Sequence, residues 1–324
     1  MRRILSLLFG CVFAMLNLYA TAQTSQVATL LSGEDVKIYF GPESFKQAVD
    51  ESKDGDVITL SAGTFDAPAE IDKQLTVRGA GMGLEGFEPY VIPTIVNGTC
   101  TLRNDFSGEG LRFNTFVFLY DMTYTFCKCY VDQFSTNGNT ILNLVQSFVK
   151  EPLYLGSPNN SNKNNLTAIN CVLGWASASK YSHENFINCI INYVSGVSLS
   201  NATFTNCIIR NYQENPINED SSNTYYYCLF YGKNGGSSFD NLNTNGTCFG
   251  SNTINDVYKK DGFYELLDEY KTLKGSDEKE IGIYGGNLGF DITPNNPQIT
   301  RFNVAPKTSA DGKLSVEIEV KGVE

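Results

Sequence analysis

Short alternating stretches of apolar and polar residues recur along this chain with a nearly fixed spacing. Three of them align without gaps, 168–173, 186–191 and 204–209, and each has an Asn-Cys pair at its centre. The pairs lie 18 residues apart, and looser copies follow at Cys228 and Cys248. β-Branched and aromatic residues on both sides of a bend favour two short strands over a helix. A period of this length predicts a solenoid, in which each repeat forms one coil stacked on the last.

The Asn-Cys pair marks the bend of each coil. Asparagine tolerates the left-handed backbone conformation better than most residues with a side chain, so it suits a sharp corner between two strands. With Asn206 at the corner, strand alternation directs Phe204, Cys207 and Ile209 inward. Stacking then places asparagine above asparagine, and we expect these amides to hydrogen-bond to one another along the axis.

The length of the repeat excludes several other architectures. A unit of about 20 residues is too short for a strand with a full crossover helix, and it is shorter than a propeller blade. The Leu-x-x-Leu-x-Leu pattern of leucine-rich repeats does not occur. A parallel β-helix is the architecture that fits.

A short helix is predicted before the first coil, over residues 44–51. Phe45, Ala48 and Val49 share one face of it, and Ser44 is positioned to cap its first turn. The open end of a solenoid exposes unpaired strand edges and core. We therefore expect this helix to cover that end.

The first coils carry a recognisable order of motifs. The predicted helix is followed by a Gly-Asp turn, a strand at 57–60, a Gly-Thr-Phe triplet at 63–65 and a strand at 75–79 that ends in glycine. This order resembles the opening of the pectin-lyase-like right-handed β-helix proteins, and the later Phe/Ile-x-Asn-Cys-x-Ile coils are similar to the repeats of that superfamily. Segment 279–286 resembles the closing segment of bacterial β-helix surface proteins, many from Bacteroidetes-type organisms. The resemblance implies a fold and no single function, because the superfamily includes lyases, hydrolases and non-catalytic surface proteins.

Together these patterns predict an all-β fold. We expect a single-stranded right-handed parallel β-helix of about ten coils, with an N-terminal capping helix and a C-terminal capping strand segment. The expected divisions are a signal peptide over 1–22, the β-helix domain over 23–290, and a C-terminal cap or tail over 291–324. In that tail an Asp-Gly turn precedes clean apolar and polar alternation, which is typical of a strand with one solvent-facing side. We expect that strand to cover the last coil.

The first 22 residues have the order of a secretory signal. Arg2 and Arg3 precede an apolar run over 4–18, and the triplet Ala-Thr-Ala at 20–22 is a small-x-small cleavage site. No second stretch is long and apolar enough to span a membrane. The sequence therefore predicts a bacterial protein that is secreted, or held at the cell surface or in the periplasm.

The net charge limits the possible partners, and the cysteine spacing argues against disulfides and a metal site. The formal net charge is −11 without any basic block, which argues against nucleic acid as a partner. Equivalent cysteines in adjacent coils have nearly parallel Cα–Cβ bonds, a poor geometry for a disulfide, so we expect a buried, mostly reduced cysteine ladder. Cys127 and Cys129 do not have the spacing of a zinc site, and no metal site is predicted.

The superfamily resemblance raises the question of catalysis. Its lyases use an Arg or Lys base, with calcium or basic groups that neutralise a uronate carboxylate. The candidate bases are Arg210 and Lys233, and Arg210 is expected to face outward because Ile209 faces inward. The acidic residues of the middle coils do not repeat at one coil position, so Ca²⁺ belongs to the lyase alternative only. The Asn-Thr-Asp, Asp-Asp and Gly-His-Gly segments of the related galacturonan hydrolases are absent, and nothing positions a nucleophile near the one histidine, His183.

A cluster of tyrosines favours binding over catalysis. Tyr225, Tyr226, Tyr227 and Tyr231 flank Cys228 in one coil, and alternation directs some of these rings outward, where a ring can stack on the apolar face of a sugar. We therefore expect an exported, non-catalytic scaffold without a cofactor that binds a polysaccharide or a surface protein. The alternative is a polysaccharide lyase acting on a uronic-acid polymer, and a third interpretation is a structural spacer without a ligand.

Overall fold

A computed structural model describes most of the chain. The described residues are 26–87, 91–155, 163–178, 181–192, 199, 201–210, 223–232, 244–245, 248–251, 256–295, 298–304 and 316–321. Regular structure in these ranges is nearly all β-strand, with one short helix, α1 (Ser44–Glu51). The predicted signal peptide at 1–22 lies outside the described residues and stays a prediction.

The strands are numbered in chain order. The first thirteen are β1 (Val27–Ser32), β2 (Asp35–Phe40), β3 (Val57–Leu60), β4 (Gly63–Asp66), β5 (Glu70–Ile71), β6 (Leu75–Arg78), β7 (Thr94–Asn97), β8 (Cys100–Leu102), β9 (Phe106–Glu109), β10 (Leu111–Tyr120), β11 (Thr123–Cys127), β12 (Tyr130–Asn137) and β13 (Ile141–Val145). The others are β14 (Phe148–Leu155), β15 (Asn165–Ile169), β16 (Val172–Ala178), β17 (His183–Ile187), β18 (Ile190–Ile191), β19 (Thr203–Thr205), β20 (Ile208–Arg210), β21 (Thr224–Tyr226), β22 (Leu229–Tyr231), β23 (Thr244–Asn245), β24 (Phe249–Ser251), β25 (Gln298–Val304) and β26 (Val316–Lys321).

The strands stack into a parallel β-solenoid, as the repeat predicts. The first sheet has the order β2-β1-β3-β6-β9-β11-β13-β15-β17-β19-β21-β23, and the second follows β24-β22-β20-β18-β16-β14-β12-β10-β7-β4 with β5 and β8 beside it. In the parallel pair β15 and β17, Asn165 lies opposite His183 and Ile169 opposite Ile187, so equivalent residues stack. The solenoid has about eight turns rather than the ten predicted. The stacked strands end at Ser251, and residues 256–295 add no strand to either sheet.

A left-handed residue lies at the bend of each of the regular coils, which confirms the predicted corner. The φ angles of Asn170, Asn188 and Asn206 are +51°, +52° and +55°. Lys128 and Gln146 adopt the same conformation before β12 and β14, with φ of +52° and +48°. Because lysine and glutamine also occupy this corner, the backbone bend alone does not select asparagine.

The interior is built from stacked columns of like side chains. Phe204, Cys207 and Ile209 are all buried, as predicted. The ring of Phe204 stacks between those of Phe186 and Tyr225, with centroids 4.8 Å apart on each side. The cysteines next to the corners form a column of free thiols, namely Cys171, Cys189, Cys207, Cys228 and Cys248. Burial raises the pKa of two of them, Cys171 and Cys207.

The predicted capping helix is present as α1 and buries Phe45, Ala48 and Val49. It contacts β1, β2, β3 and β4, so it covers the front of the solenoid. The predicted cap at Ser44 is wrong. Glu43 is the N-cap residue and makes no side-chain cap bond, while Ser44 is the first helical residue and is fully buried, since the helix begins against the core.

Residues 256–295, here called the flanking segment, form a second hydrophobic core against the outer side of the second sheet. The segment contributes Val257, Leu266, Ile281, Ile283, Phe290 and Ile292, and the sheet contributes Tyr130, Val172, Ile190, Ile208, Leu229 and Tyr231. Each fully buried aliphatic side chain in such a layer stabilises the fold by about 2 kcal/mol. One outer side of the solenoid is therefore interior to the protein.

The flanking segment also forms the polar contacts of the corner column. Asn170 donates through Nδ2 to the carbonyl oxygens of Ile283 and Gly285, both at 2.8 Å. Asn206 accepts the backbone N–H of Ser276 at 2.8 Å. The Oδ1 atoms of Asn170 and Asn188 have no hydrogen-bond partner, so the predicted amide-to-amide ladder does not form here. Peptide groups of the flanking segment bond to Asn170 and Asn206 instead.

The tail contains the predicted alternating strand. This strand, β26, pairs antiparallel with β25 in a two-stranded sheet. Its position over the last coil and the expected domain boundary at residue 290 stay predictions.

Candidate ligand-binding surface

The four tyrosines proposed for binding do not form one exposed surface. Tyr225 is 1% exposed because it points into the solenoid core, and Tyr231 is 2% exposed because it lies beneath the flanking segment. Tyr226 is 36% exposed, and Tyr227 is a half-buried corner residue with φ of +53°. A binding role is therefore open only to Tyr226 and Tyr227, for which it stays a prediction.

The two proposed bases have different outcomes. Arg210 points to the outer side of its strand, as predicted, but it is half-buried there, with its guanidinium 5.7 Å from the centre of the Tyr231 ring. Lys233 lies outside the described residues. Within the described ranges no group of three or more His, Cys, Asp or Glu side chains could hold a metal ion. The lyase alternative stays a prediction.

An outward-facing aromatic row lies elsewhere, on the second half of β10, with one exposed and two half-buried side chains. Val117 and Leu119 point into the core, so the alternate residues Phe116, Phe118 and Tyr120 point outward. Phe116 is 44% exposed, and its ring stacks on that of Phe118 with centroids 6.0 Å apart and planes 11° apart. We call Phe116, Phe118 and Tyr120 the aromatic row.

The aromatic row has short or polar neighbours on the adjacent strands. On β12 the residues opposite the row are Gln133, Ser135 and Asn137. Thr101 of β8 lies opposite Phe118 on the other side. These side chains are short or polar, and the Phe118 and Tyr120 rings beside them are half-buried. One coil beyond Ser135, Tyr154 adds a ring that is 36% exposed.

A cation fixes one end of the row. The guanidinium of Arg103 lies 4.4 Å from the centre of the Tyr120 ring, within the range of a cation–π contact. Its Nε atom lies 2.6 Å from a carboxylate oxygen of Glu70, and this hydrogen bond raises the pKa of Arg103. The Tyr120 ring is therefore held from one side by a cation.

A buried hydroxyl fixes the backbone at the same end. The Tyr124 hydroxyl accepts the backbone N–H of Tyr120 at 3.0 Å and lies 2.6 Å and 2.8 Å from the carbonyl oxygens of Tyr120 and Leu102. Burial raises the pKa of Tyr124 to about 12, so the hydroxyl stays protonated. The row thus stands on a backbone held by a buried side chain, which limits the ordering cost of binding.

The sequence contained a signal for this surface that the tyrosine cluster obscured. The stretch 116–120, Phe-Val-Phe-Leu-Tyr, alternates aromatic and aliphatic residues, which is typical of a strand with two different sides. Alternation around Val117 and Leu119 places all three rings on one side. The tyrosine cluster looked equivalent in sequence, but its surroundings bury two of its four members.

Comparisons with known proteins add no functional information. No family model matches the chain, and no curated protein matches it. No helix in the described ranges is long and apolar enough to cross a membrane.

Proposed function

We propose that this protein is an exported, non-catalytic β-helix scaffold that binds a glycan through the aromatic row. The single observation that carries the proposal is the set of three outward aromatic side chains on one strand. Their neighbours on the adjacent strands are short or polar. Sugar rings offer apolar C–H faces that stack on aromatic rings. Three rings in a line suit a polymer better than a single sugar.

The sequence features support the cellular location and the superfamily that this function requires. The secretory signal and the motif order of the first coils indicate a bacterial surface or periplasmic protein of the pectin-lyase-like β-helix superfamily. A polysaccharide or the glycan of a surface protein is the partner that fits an aromatic row. A surface protein without glycan is the less favoured partner, because the row has few charged neighbours that would orient it.

The test is retardation of the mature protein, residues 23–324, in native gels that contain a panel of polysaccharides. The double variant Phe116→Ala/Phe118→Ala should lose affinity by about tenfold, since each stacked ring contributes about 0.5–1.5 kcal/mol. The matched control is Phe40→Ala, which removes a ring that is 66% exposed on β2. Retardation of the double variant equal to that of the wild type would reject the proposal.

The lyase alternative is tested in the same panel. A lyase leaves an unsaturated product that absorbs ultraviolet light. A rising absorbance with a uronic-acid polysaccharide, abolished by Arg210→Ala without a change in the far-ultraviolet circular dichroism, would make this protein an enzyme and overturn the non-catalytic proposal.

A further inference from the structure

The outer side of the first sheet carries no charged residue over six successive strands. By strand alternation the outward residues of β11, β13, β15, β17, β19 and β21 share this face. They are Thr123, Thr125, Cys127, Ile141, Asn143, Val145, Asn165, Thr167, Ile169, His183, Asn185, Ile187, Thr203, Thr205, Thr224 and Tyr226. We call this set the uncharged face.

The absence of charge is unusual for this chain. Lys, Arg, Asp and Glu make up 18% of the residues, and the net charge is −11. The same sheet carries outward Arg78 and Glu109 on the two preceding strands, β6 and β9. The face is solvent-accessible, since Thr123, Asn165 and His183 are exposed and Ile141 is 43% exposed.

The uncharged face has an ordered arrangement of hydrogen-bonding groups. Its middle column reads Thr125, Asn143, Thr167, Asn185 and Thr203 in five successive coils, about 4.8 Å apart. Hydroxyl and amide groups both donate and accept hydrogen bonds. The next column, toward the corner, contains Val145, Ile169 and Ile187, so a polar line runs beside an apolar one.

The uncharged face continues the surface of the aromatic row. Tyr120 ends β10, and only Asp121 and Met122 separate it from Thr123, the first residue of the face. Met122 is 39% exposed at this junction. A shallow groove of about 190 Å³ opens beside it, lined in part by Thr76, Ser107, Thr123, Thr125 and one charged residue, Asp105.

The area and charge of the face decide among its possible occupants. Four strands of five residues and two strands of three residues cover about 400 Å², about half of what each partner buries in a standard protein interface. A stable dimer through this face is therefore not expected. An acidic polysaccharide would need Lys or Arg to neutralise its carboxylates, and the face has none. An uncharged polymer that is rich in hydroxyl groups fits both the polar and the apolar column.

We propose that the uncharged face holds an extended neutral polysaccharide, a polymer without carboxylate or sulfate groups, which continues from the aromatic row across the junction at Met122. This inference rests on the proposed glycan-binding function and names its ligand class. The middle column supplies hydrogen bonds to sugar hydroxyls, and the apolar column packs against sugar C–H groups.

The experiment is native gel retardation of the mature protein with hydroxyethyl cellulose, xylan and glucomannan as neutral probes, and polygalacturonate and alginate as acidic probes. The double variant Thr167→Arg/Asn185→Arg places charge in the middle of the face. The matched control Thr64→Arg/Thr99→Arg adds the same charge at exposed positions outside it. We expect the wild type and the control to be retarded by a neutral probe, and the face variant to lose at least tenfold in affinity.

A second variant distinguishes the loss of ligand contacts from misfolding. Thr125→Val/Thr167→Val keeps the β-branched shape and removes only two hydroxyl groups, and it should lose several-fold in affinity with an unchanged melting temperature. Binding to the neutral probe should also be independent of salt from about 0.05 to about 0.5 M, because screening acts on charges.

The outcomes separate this inference from the proposed function. If Phe116→Ala/Phe118→Ala loses affinity while both face variants bind as the wild type does, the function stands and the inference is wrong. Retardation only by acidic probes rejects the inference. So does a dimer in sedimentation that the arginine variant dissociates, because the face would then serve self-association. Retardation by no probe rejects both.

Discussion

The side-chain ammonium of Lys128 lies 3.0 Å from a carboxylate oxygen of Asp291, although 163 positions separate the two residues. The same ammonium lies 2.6 Å from the carbonyl oxygen of Thr293 and 3.1 Å from Oδ1 of Asn295. The Lys128 side chain is 6% exposed, whereas that of Asp291 is 47% exposed. Lysine at this corner therefore holds the end of the flanking segment against an early coil.

Replacing Lys128 tests this anchor. Lys128→Met should lower the free energy of unfolding by about 2 kcal/mol, because hydrogen bonds to a charged group contribute about 1.5–3 kcal/mol. The measurement is chemical unfolding followed by circular dichroism. The control is Lys150→Met, whose half-exposed ammonium lies 3.9 Å from Asp132 and should contribute little. Equal midpoints for the two variants would show that the anchor does not stabilise the fold.

The same contact predicts a dependence on pH. Partial burial alone would raise the pKa of Asp291, but the backbone N–H of Thr293 and the ammonium of Lys128 hold the pKa below its ordinary value. A carboxylate with a depressed folded-state pKa stabilises the fold at neutral pH and loses that contribution as the pH falls through the folded-state pKa. Limited proteolysis of the flanking segment should accelerate at low pH in the wild type. Lys128→Met should be cleaved faster already at neutral pH, so an unchanged cleavage rate would contradict the model of the anchor.

Asn170 combines a left-handed backbone with two hydrogen bonds to the flanking segment, and two variants separate these contributions. Asn170→Ala loses both bonds and places a Cβ residue at φ of +51°, so it should destabilise by about 2–3 kcal/mol. Asn170→Gly loses the same bonds without the backbone strain and should retain about 1 kcal/mol more. Thermal unfolding of the pair gives the difference. Equal stability would mean that the corner conformation is not strained.

Glu184 predicts a second dependence on pH, of opposite sign. It is 3% exposed, its carboxylate oxygens have no hydrogen-bond partner, and burial raises its pKa to about 8. Below the unfolded pKa near 4.5 the group is neutral in both states and contributes no dependence on pH. Between that value and about 8 only the unfolded chain ionises, so the wild type loses stability as the pH rises.

The variant Glu184→Gln removes this ionisation and keeps the shape. It should be more stable than the wild type at pH 8 and equally stable at pH 4, with a difference of several kcal/mol at most, since each unit of pKa shift corresponds to about 1.4 kcal/mol. The exposed control is Glu85→Gln, which should show no such trend. A constant difference between Glu184→Gln and the wild type at all pH values would mean that Glu184 is not buried as a neutral acid.

The cysteine column predicts unreactive thiols. Six of the eight cysteines that follow residue 22 are buried, and burial raises the pKa even of the half-buried Cys127 to about 11. A thiol reagent at pH 8 should therefore label the native protein slowly, because the thiolate is the reactive form. Eight thiols should react after unfolding without a reductant. A lower count would indicate disulfides.

Much of the fold followed from the sequence alone, because it depends on local conformation and on contacts between adjacent coils. The spacing of Asn170, Asn188 and Asn206 identified both the stacked coils and the left-handed corners, because a solenoid repeats the same contacts in every turn. The inward direction of Phe204, Cys207 and Ile209 followed from strand alternation. The helix at 44–51 followed from its apolar face, although its cap did not, since the packing at Ser44 replaced a side-chain bond.

Only the tertiary structure decided which outward residues meet solvent. Strand alternation shows that a side chain points outward but not whether another segment packs over it. Tyr231 and Phe116 therefore looked equivalent in sequence. The flanking segment buries Tyr231 and leaves the rings of β10 open. Its path depends on contacts such as Lys128 with Asp291 and Asn170 with Ile283, which join residues more than 100 positions apart and have no local signal. The sequence by itself determined the coil, and long-range packing determined which surface remains free to bind a ligand.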